Sequence, residues 1–491
     1  MGLGWRRELA APLLTAAPRV GFVEVIAESC FKPGPIRREV EGLAEIWPVL
    51  PHGIKLSLGS ADGIDDEHAR KLGQLARRLR SPLVSEHVAF TRGQRTDIGH
   101  LTQLPLHRTA VAVVARNLAR ARRHLPDIPV LLENPAWTLR WSDDEMDEGT
   151  FFHEIVHATG CELLLDIANL YANATNSGQD PRALLHSYPL NRVAMVHIAG
   201  GAWRDGFYVD THCHATPPSV FDLLADLIRI RGPVPIVLER DGRYPPFAEL
   251  AIEITNAQRI LQSAHDLAAV SVDDARSGAA QSAHRPAAVR ADSPQLQALT
   301  ALATQQGQLA ALLTQPFLPD SSLRHDNEAA DAAGPPGAQM SHAAWDAQAL
   351  HRSRSVLLHK RVDEAIALLG RARSAAQAQR IDLYALALEA LASQAPAQRL
   401  PTVVDALSLA RWLQSHASLA VPARLDQLAL QARFTEQTQG AAPRFLPYLA
   451  RAQHQDGGHT WVFKPPGRQS ILRFFRRPPA LNRGGIHTRS P

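Results

Sequence analysis

The chain has 491 residues, enough for two to four domains of ordinary size or for one large barrel with an extension. Hydrophobic residues make up 45% and charged residues 20%, as in soluble globular proteins, and no apolar run approaches the ~20 residues that cross a bilayer. The net charge of +4 is uneven: residues 441–491 carry nine Arg/Lys and one acid, or +8, so the first 440 residues carry −4, which disfavours a nucleic-acid-binding body.

Eight short β-like runs lie in the first half of the chain. They are Leu3–Trp5, Phe22–Ala27, Val49–His52, Leu83–Val88, Pro129–Glu133, Leu163–Ile167, Val193–Ile198 and Ile236–Glu239. Amphipathic stretches separate them, among them Arg6–Ala16, Ile36–Ile46, Asp65–Arg80, Arg108–His124, Thr150–Thr159, Ser219–Ile230 and Phe247–Gln262. Runs such as Leu163–Ile167 are apolar without alternation, as in parallel strands buried on both faces. Eight such units predict an α/β fold, a (β/α)8 TIM barrel over residues 1–268. A doubly wound sheet competes less well, because no GxGxxG turn follows the first strand.

After Ala268 the chain becomes rich in Ala, Ser, Asp and Arg. Residues 269–341 read as a low-complexity linker with one helix around Leu296–Leu313. Apolar residues at helical spacing from His342 predict a small all-α domain over residues 342–440. The basic tail, 441–491, reads as a disordered arm. Three cysteines, Cys30, Cys161 and Cys213, are too few for a disulfide framework, and with no signal-peptide pattern at the start a cytoplasmic location is expected. Cys161 reads as a small buried hydrophobe, and neither it nor Cys213 as a ligand.

Histidine and carboxylate residues recur where the runs end. His52, His87, Glu133, Asp166, His197 and Glu239 close six of them, and Asp210 and His212 sit in the loop after a seventh. Each alone is a weak signal, but active sites of this fold are built at the C-terminal ends of several strands. Imidazole and carboxylate together are the ligand set for iron, zinc or manganese. The count exceeds one coordination shell and points to two or three ions. Glu28 and Asp241 are acid–base candidates; Glu86 points away from His87 if the strand alternates. Removing a carboxylate such as Glu133 is expected to relieve repulsion in the metal-free form.

The strings GLGWRREL, FVEVIAES, PHGIKLSLGSADGID, VSEHVAF, LLENPAW, TGCELLLDIANLYANATNSG, VHIAGG, DTHCH and VLERDG span Gly2 to about Leu261. In this order they resemble the multinuclear non-heme iron-dependent oxidative enzymes, the family of the methanobactin-biosynthesis oxidase. That family lies in the xylose-isomerase-like barrel superfamily, which includes apurinic endonuclease. The resemblance implies a metal-binding set of His52, His87, Glu133, Asp166, Asn169, His197, Asp210, His212 and Glu239. Asn169 stands where some members have histidine, so a third ion would be held more weakly. Lys55, Ala168 and Gly201 also depart from the expected pattern and bear on substrate choice. The resemblance further implies two or three iron ions of mixed valence, dioxygen as oxidant and a cysteine-containing, ribosomally synthesised precursor peptide as substrate, often delivered by a helical partner protein. The alternative is a zinc- or manganese-dependent hydrolase or isomerase on the same barrel. The resemblance does not reach the C-terminal part, for which binding of a peptide leader or partner is the expectation.

Overall fold

The computed structural model describes residues 1–15, 20–94, 96–270, 293–317, 345–397, 400–444, 446–454, 456, 458–466 and 472–477. Most of the expected linker, and the tail after residue 477, lie outside them. The described residues fall into two compact units: 1–310 with 341–350, and 311–340 with 351–491.

The first unit is built on eight parallel strands, β1 Gly2–Gly4, β2 Phe22–Ile26, β3 Val49–Gly53, β4 Val84–His87, β5 Val130–Glu133, β6 Glu162–Asp166, β7 Val193–Ile198 and β8 Ile236–Leu238. They close in the order β1-β8-β7-β6-β5-β4-β3-β2, the TIM barrel predicted. All eight expected runs coincide with these strands. Leu50, Leu131, Leu164, Met195 and Val237 meet as one cluster inside the barrel. They are interior residues of β3, β5, β6, β7 and β8, and their mutual burial closes the sheet.

The outer helices form where expected because each carries its own signals. The helix Asp66–Leu79 starts at Asp65, whose side chain accepts from the Glu67 N–H, and ends at left-handed Arg80. Its inner face buries Leu72, Leu75 and Leu79. Gly73 lies so close to the next helical unit that a Cβ there would come within 2.1 Å of the His124 carbonyl oxygen. Two helices, Ile167–Ser177 and Pro181–Ser187, and two hairpins, Ala89–Gly93 with Thr96–Gln103 and Gly200–Arg204 with Phe207–His214, are additional to those expected. The hairpins are βα loops long enough to pair with themselves.

Helix Ser293–Leu313, expected as an island in a linker, belongs through Ala310 to the barrel unit. The second unit contains the helices Gly370–Gln379, Leu383–Ala392, Pro401–Trp412 and Ala420–Arg433, with most of Ala347–Leu368. Val362, Leu369, Leu391, Leu407 and Leu413 are at its core. Arg361 makes a two-pronged ion pair with buried Asp405. Strands follow the helices: a hairpin of Phe434–Gln437 with Gly440–Pro443, then the antiparallel sheet Tyr448–Gln453, His459–Lys464 and Arg473–Arg477. The described residues between 440 and 477 thus form strands where the composition suggests a disordered arm. Ala452 and Val462 of this sheet bury against Leu428, which the basic composition of the segment masks.

Candidate metal centre

Side chains alternate along a strand with period two. Leu50, Leu131, Leu164, Met195 and Val237 point into the barrel, so the residues two further on, His52, Glu133, Asp166, His197 and Glu239, point inward as well, one layer nearer the C-terminal end. Register brings them level: His87 pairs with Glu133, and Asp166 with His197. The same phase puts Glu24, two residues after Phe22, into this layer.

Glu133 is the hub. Its Oε2 lies 3.3 Å from His52 Nε2 and 3.3 Å from His87 Nε2, and its Oε1 lies 3.4 Å from His197 Nδ1. The remaining ring nitrogens are occupied behind the site. His52 Nδ1 is 2.8 Å from Ser85 Oγ, and His87 Nδ1 is 3.2 Å from the Gly53 carbonyl oxygen. Such bonds fix which nitrogen faces inward, a usual arrangement for metal-ligating histidine. His197 is flanked on both sides, with Nε2 2.9 Å from Glu24 Oε1 and Nδ1 3.3 Å from Glu239 Oε2.

A second focus lies beside the first. His212 Nε2 is 2.7 Å from Asp210 Oδ2 and 3.6 Å from Asp166 Oδ2, while its Nδ1 is 3.1 Å from Glu239 Oε2. His212 has φ of 51°, a costly conformation for a non-glycine residue that the hairpin imposes and that turns its ring into the site. Asp166 spends Oδ1 on the N–H of Asn169, capping the helix Ile167–Ser177, and leaves Oδ2 for the centre. Asn169 donates through Nδ2 to the Asn134 carbonyl oxygen, which leaves Oδ1 without a partner.

Among the described residues four overlapping groups of ligand atoms result, with the atoms of each group within 4.8 Å of one another: His52, His87 and Glu133; Glu24, His197 and Glu239; Glu133, Asp166 and His197; Asp166, His212 and Glu239. Seven of the nine residues expected as ligands appear in them. Asp210 joins through His212, and Asn169 through its bond to Asp166. Glu24 is not among the residues that close a run because it lies in the middle of β2; its two-residue offset from Phe22 is the signal that finds it.

The two acid–base candidates differ in setting. Asp241 is 39% exposed, bonds to Arg6 and lies 3.8 Å from His212 Nδ1. Arg6 also reaches Glu239 at 3.1 Å. Glu28 lies in none of the four groups; its Oε1 accepts from the Ile54 and Lys55 N–H groups and sits 2.9 Å from His68 Nε2. It therefore pins the loop that follows His52. Glu86 accepts from the Leu56 and His87 N–H groups, behind the site as the alternation predicts. Cys161 is buried beside Arg122, outside the four groups.

The electrostatics are divided among these groups. Burial opposes charge on Glu133, but His87, His197 and His52 hold its carboxyl down at about 2. Burial likewise opposes charge on His87, yet Glu133 and Glu86 raise it to about 9. His197 and His212 also titrate well above the ordinary imidazole value, held charged by their carboxylates against burial. Asp166 carries the strain. Burial, with Asp210 and Glu133 adding to it against His212, lifts its carboxyl to about 8. Repulsion in the metal-free centre is therefore relieved by neutralising Asp166 and not Glu133, whose removal strands the charged rings of His87 and His197.

A pH dependence follows for the metal-free protein. The folded form holds protons on His87 and Asp166 that the unfolded chain releases near pH 6.5 and 3.9 respectively. Their contribution is complete below those values and is lost as pH rises to about 9 and about 8. Glu133 acts in the opposite sense, but only below about pH 4. The Tm in EDTA should accordingly fall between about pH 6 and pH 9, and Asp166→Asn should flatten that fall. Metal should stabilise more at the alkaline end, since binding displaces these protons. Melting curves across that range test both signs, and a Tm in EDTA that rises with pH would refute the assignment.

The atoms left without hydrogen-bond partners include Glu24 Oε2, Glu133 Oε2, Asp166 Oδ2, Asn169 Oδ1, both His197 ring nitrogens, Asp210 Oδ1 and His212 Nε2. Unsatisfied buried polar atoms are rare in folded proteins. Eight of them here, all nitrogen or oxygen donors of the kinds that bind iron, zinc or manganese, fit a cluster of cations.

Residues 1–262 match the family model described as the RiPP precursor modification enzyme MbnB/TglH/ChrH, RiPP denoting ribosomally synthesised and post-translationally modified peptides. A UPF0276 protein of Streptomyces avermitilis is 39% identical over 271 residues, which cover 54% of this chain and 55% of that one. The chain thus spans about half the length of that relative. A UPF0276 protein of Chromobacterium violaceum is 36% identical over 265 residues, covering 54% of this chain and 96% of its own. Among solved structures, a xylose isomerase domain protein from Planctomyces limnophilus aligns at TM-score 0.38 and 15% identity, covering 54% of this chain and 95% of that one. Endonuclease IV of Thermus thermophilus aligns at TM-score 0.35 and 18% identity, covering 54% and 98%. With the model spanning residues 1–262 and most of the Chromobacterium relative matched end to end, the chain belongs to the MbnB/TglH/ChrH family of RiPP precursor modification enzymes.

Proposed function

We propose that this protein is a multinuclear non-heme iron oxidase that uses dioxygen to modify cysteine, or a similar residue, in a ribosomally synthesised precursor peptide. The observation that carries this reading is the set of buried His, Asp, Glu and Asn atoms that converge on one barrel end without hydrogen-bond partners. Family membership supports the peptide as substrate class. Bound there, iron ions would supply Lewis acidity, electrons and open positions for dioxygen and a thiolate.

The chain's own residues would do the rest. His52, His87, Glu133, Asp166, Asn169, His197, Asp210, His212 and Glu239, joined by Glu24, would hold two or three ions. Ser85 and the Gly53 carbonyl keep the rings of His52 and His87 in place. Arg6, bonded to both Glu239 and Asp241, balances negative charge on one rim. Asp241, half exposed beside His212, is placed to take or return a proton at the peptide. Glu28 acts by positioning the loop after His52.

Metal analysis and a peptide reaction test the reading. Protein supplied with iron should carry two or more ions per chain and absorb visible light. In air it should consume dioxygen and change the mass of a cysteine-containing precursor peptide. One ion or fewer per folded chain would sink the cluster. A colourless zinc protein that leaves the peptide untouched would favour the hydrolase or isomerase reading. Among the described residues no helix is long and apolar enough to cross a membrane.

A further inference from the structure

Two segments beyond the family-matched residues grip the rim of the metal centre. The loop after β3 begins just past His52, and the hairpin Ala89–Gly93 with Thr96–Gln103 begins two residues past His87. Both therefore stand at the C-terminal ends of ligand-bearing strands. They are stitched together: the Gly59 N–H donates to the Ala89 carbonyl oxygen and the Thr91 N–H to Ser57 Oγ. On their outer side lies the helix Ser293–Leu313. Its Gln306 is fully buried, accepts from the Ala61 N–H at 2.8 Å and donates to the Gly59 carbonyl oxygen at 2.8 Å. Leu302 packs on Ala61 and Val113. The helix also presses on the hairpin. A Cβ on Gly93 would come within 2.3 Å of the Gln306 carbonyl oxygen, and one on Gly307 within 2.5 Å of the Gln94 side chain.

The second grip comes from Trp345. Its ring lies 5.5 Å from that of Trp141, edge to face. Trp141 in turn donates to the Gln103 carbonyl oxygen at the hairpin's far end and packs on Phe90. From outside 1–262, the part that the family model matches, the helix thus contacts the turn end of the hairpin directly, and Trp345 backs the Trp141 that holds its other end. Burying a glutamine costs free energy unless both ends of its amide are satisfied, and here both are spent on one loop.

We propose that helix Ser293–Leu313 and Trp345 form a built-in brace on the hairpin wall of the metal centre, with Gln306 and Trp345 as positioning residues that govern access to the ions. The brace rests on the reading of the centre as a metal site, but not on which metal it holds or which reaction it runs. It also changes what the extension is: the helix Ser293–Leu313 is part of the barrel's working end and not a bead on a tether. Truncation near residue 268 would leave the hairpin wall without its brace.

The test uses the full-length protein loaded with manganese or iron and follows extraction by excess EDTA. Gln306→Met keeps the side-chain volume and removes both hydrogen bonds. Metal content at saturation should stay that of the parent, while extraction speeds up roughly tenfold, because local opening of the wall becomes easier. Amide hydrogen exchange should rise in residues 57–61 and 89–103. Leu224→Ala, fully buried in the helix Pro218–Arg231 on another side of the barrel, serves as control for loss of stability alone. Trp345→Phe is the second variant should Gln306→Met fold poorly, with the same signature at smaller size. Extraction no faster than in Leu224→Ala at matched Tm, or exchange that rises evenly over the barrel, would overturn the brace. A parent protein that binds no metal would refute the underlying site instead.

Discussion

Glu133→Gln should lose at least one metal ion per chain and at least ~10³ of the activity, with the barrel still folded. The substitution keeps volume and one acceptor but removes the charge that three imidazoles share. In the metal-free protein the same change leaves those imidazoles without their hub, and breaking a buried ion pair in this way costs about 3–5 kcal/mol. The Tm in EDTA should drop, where a view of the centre as simple carboxylate repulsion has it rise. Circular dichroism for the fold, metal analysis for the ions and melting curves for stability decide between them. A fully active Glu133→Gln with its complete metal complement would show that the hub lies elsewhere.

His197→Ala should be as damaging, because His197 belongs to two of the four ligand groups and stands between Glu24, Glu133 and Glu239. Removing its ring takes away the buried cation that Glu24, Glu133 and Glu239 share. A loss of ~10³ or more in activity and a metal-free form destabilised by about 3–5 kcal/mol are expected. Glu24→Gln separates ligation from orientation. If Glu24 only steadies His197, a glutamine retains a polar contact and the loss should be about 10–100-fold. If Glu24 itself ligates, the loss should approach that of His197→Ala, and the metal count should fall with it. Measuring ions per chain for the two variants side by side distinguishes these outcomes.

The barrel was legible because each of its strands is a short apolar run buried on both faces, and each helix carries caps or a one-sided apolar stripe. Asp65 before Asp66–Leu79 is one such cap. Six of the ligand candidates, His52, His87, Glu133, Asp166, His197 and Glu239, were legible for a related reason. In a parallel barrel the inward layer nearest the C-terminal ends falls at the end of each run, and a histidine or carboxylate there breaks an otherwise apolar pattern. Glu24 was not legible in that way, because β2 continues for two residues past it. Helix Ile167–Ser177 was obscured for another reason: its N-cap, Asp166, is also a candidate ligand, so one residue carries two signals.

Composition and period by themselves determined the fold class, the number of barrel units and the residue types of the centre, since these depend on which side chains can be buried and at what spacing. Only the tertiary structure decided which nitrogen of each histidine faces inward, that Glu133 is the hub while Asp166 bears the repulsion, and that Glu28 holds a loop. Those properties arise from pairs such as His52 and Ser85, or Glu28 and Lys55, brought together by strand register and not by spacing along the chain. The role of the extension was hidden for the same reason. The segments around helix Ser293–Leu313 have linker composition, and the contacts that make it part of the barrel, Gln306 to Gly59 and Ala61, span about half the chain. A hydrogen bond to a distant backbone leaves no periodic trace in either partner's sequence, so only the folded chain shows that a helix beyond residues 1–262 packs on the loop after β3 and the hairpin after β4.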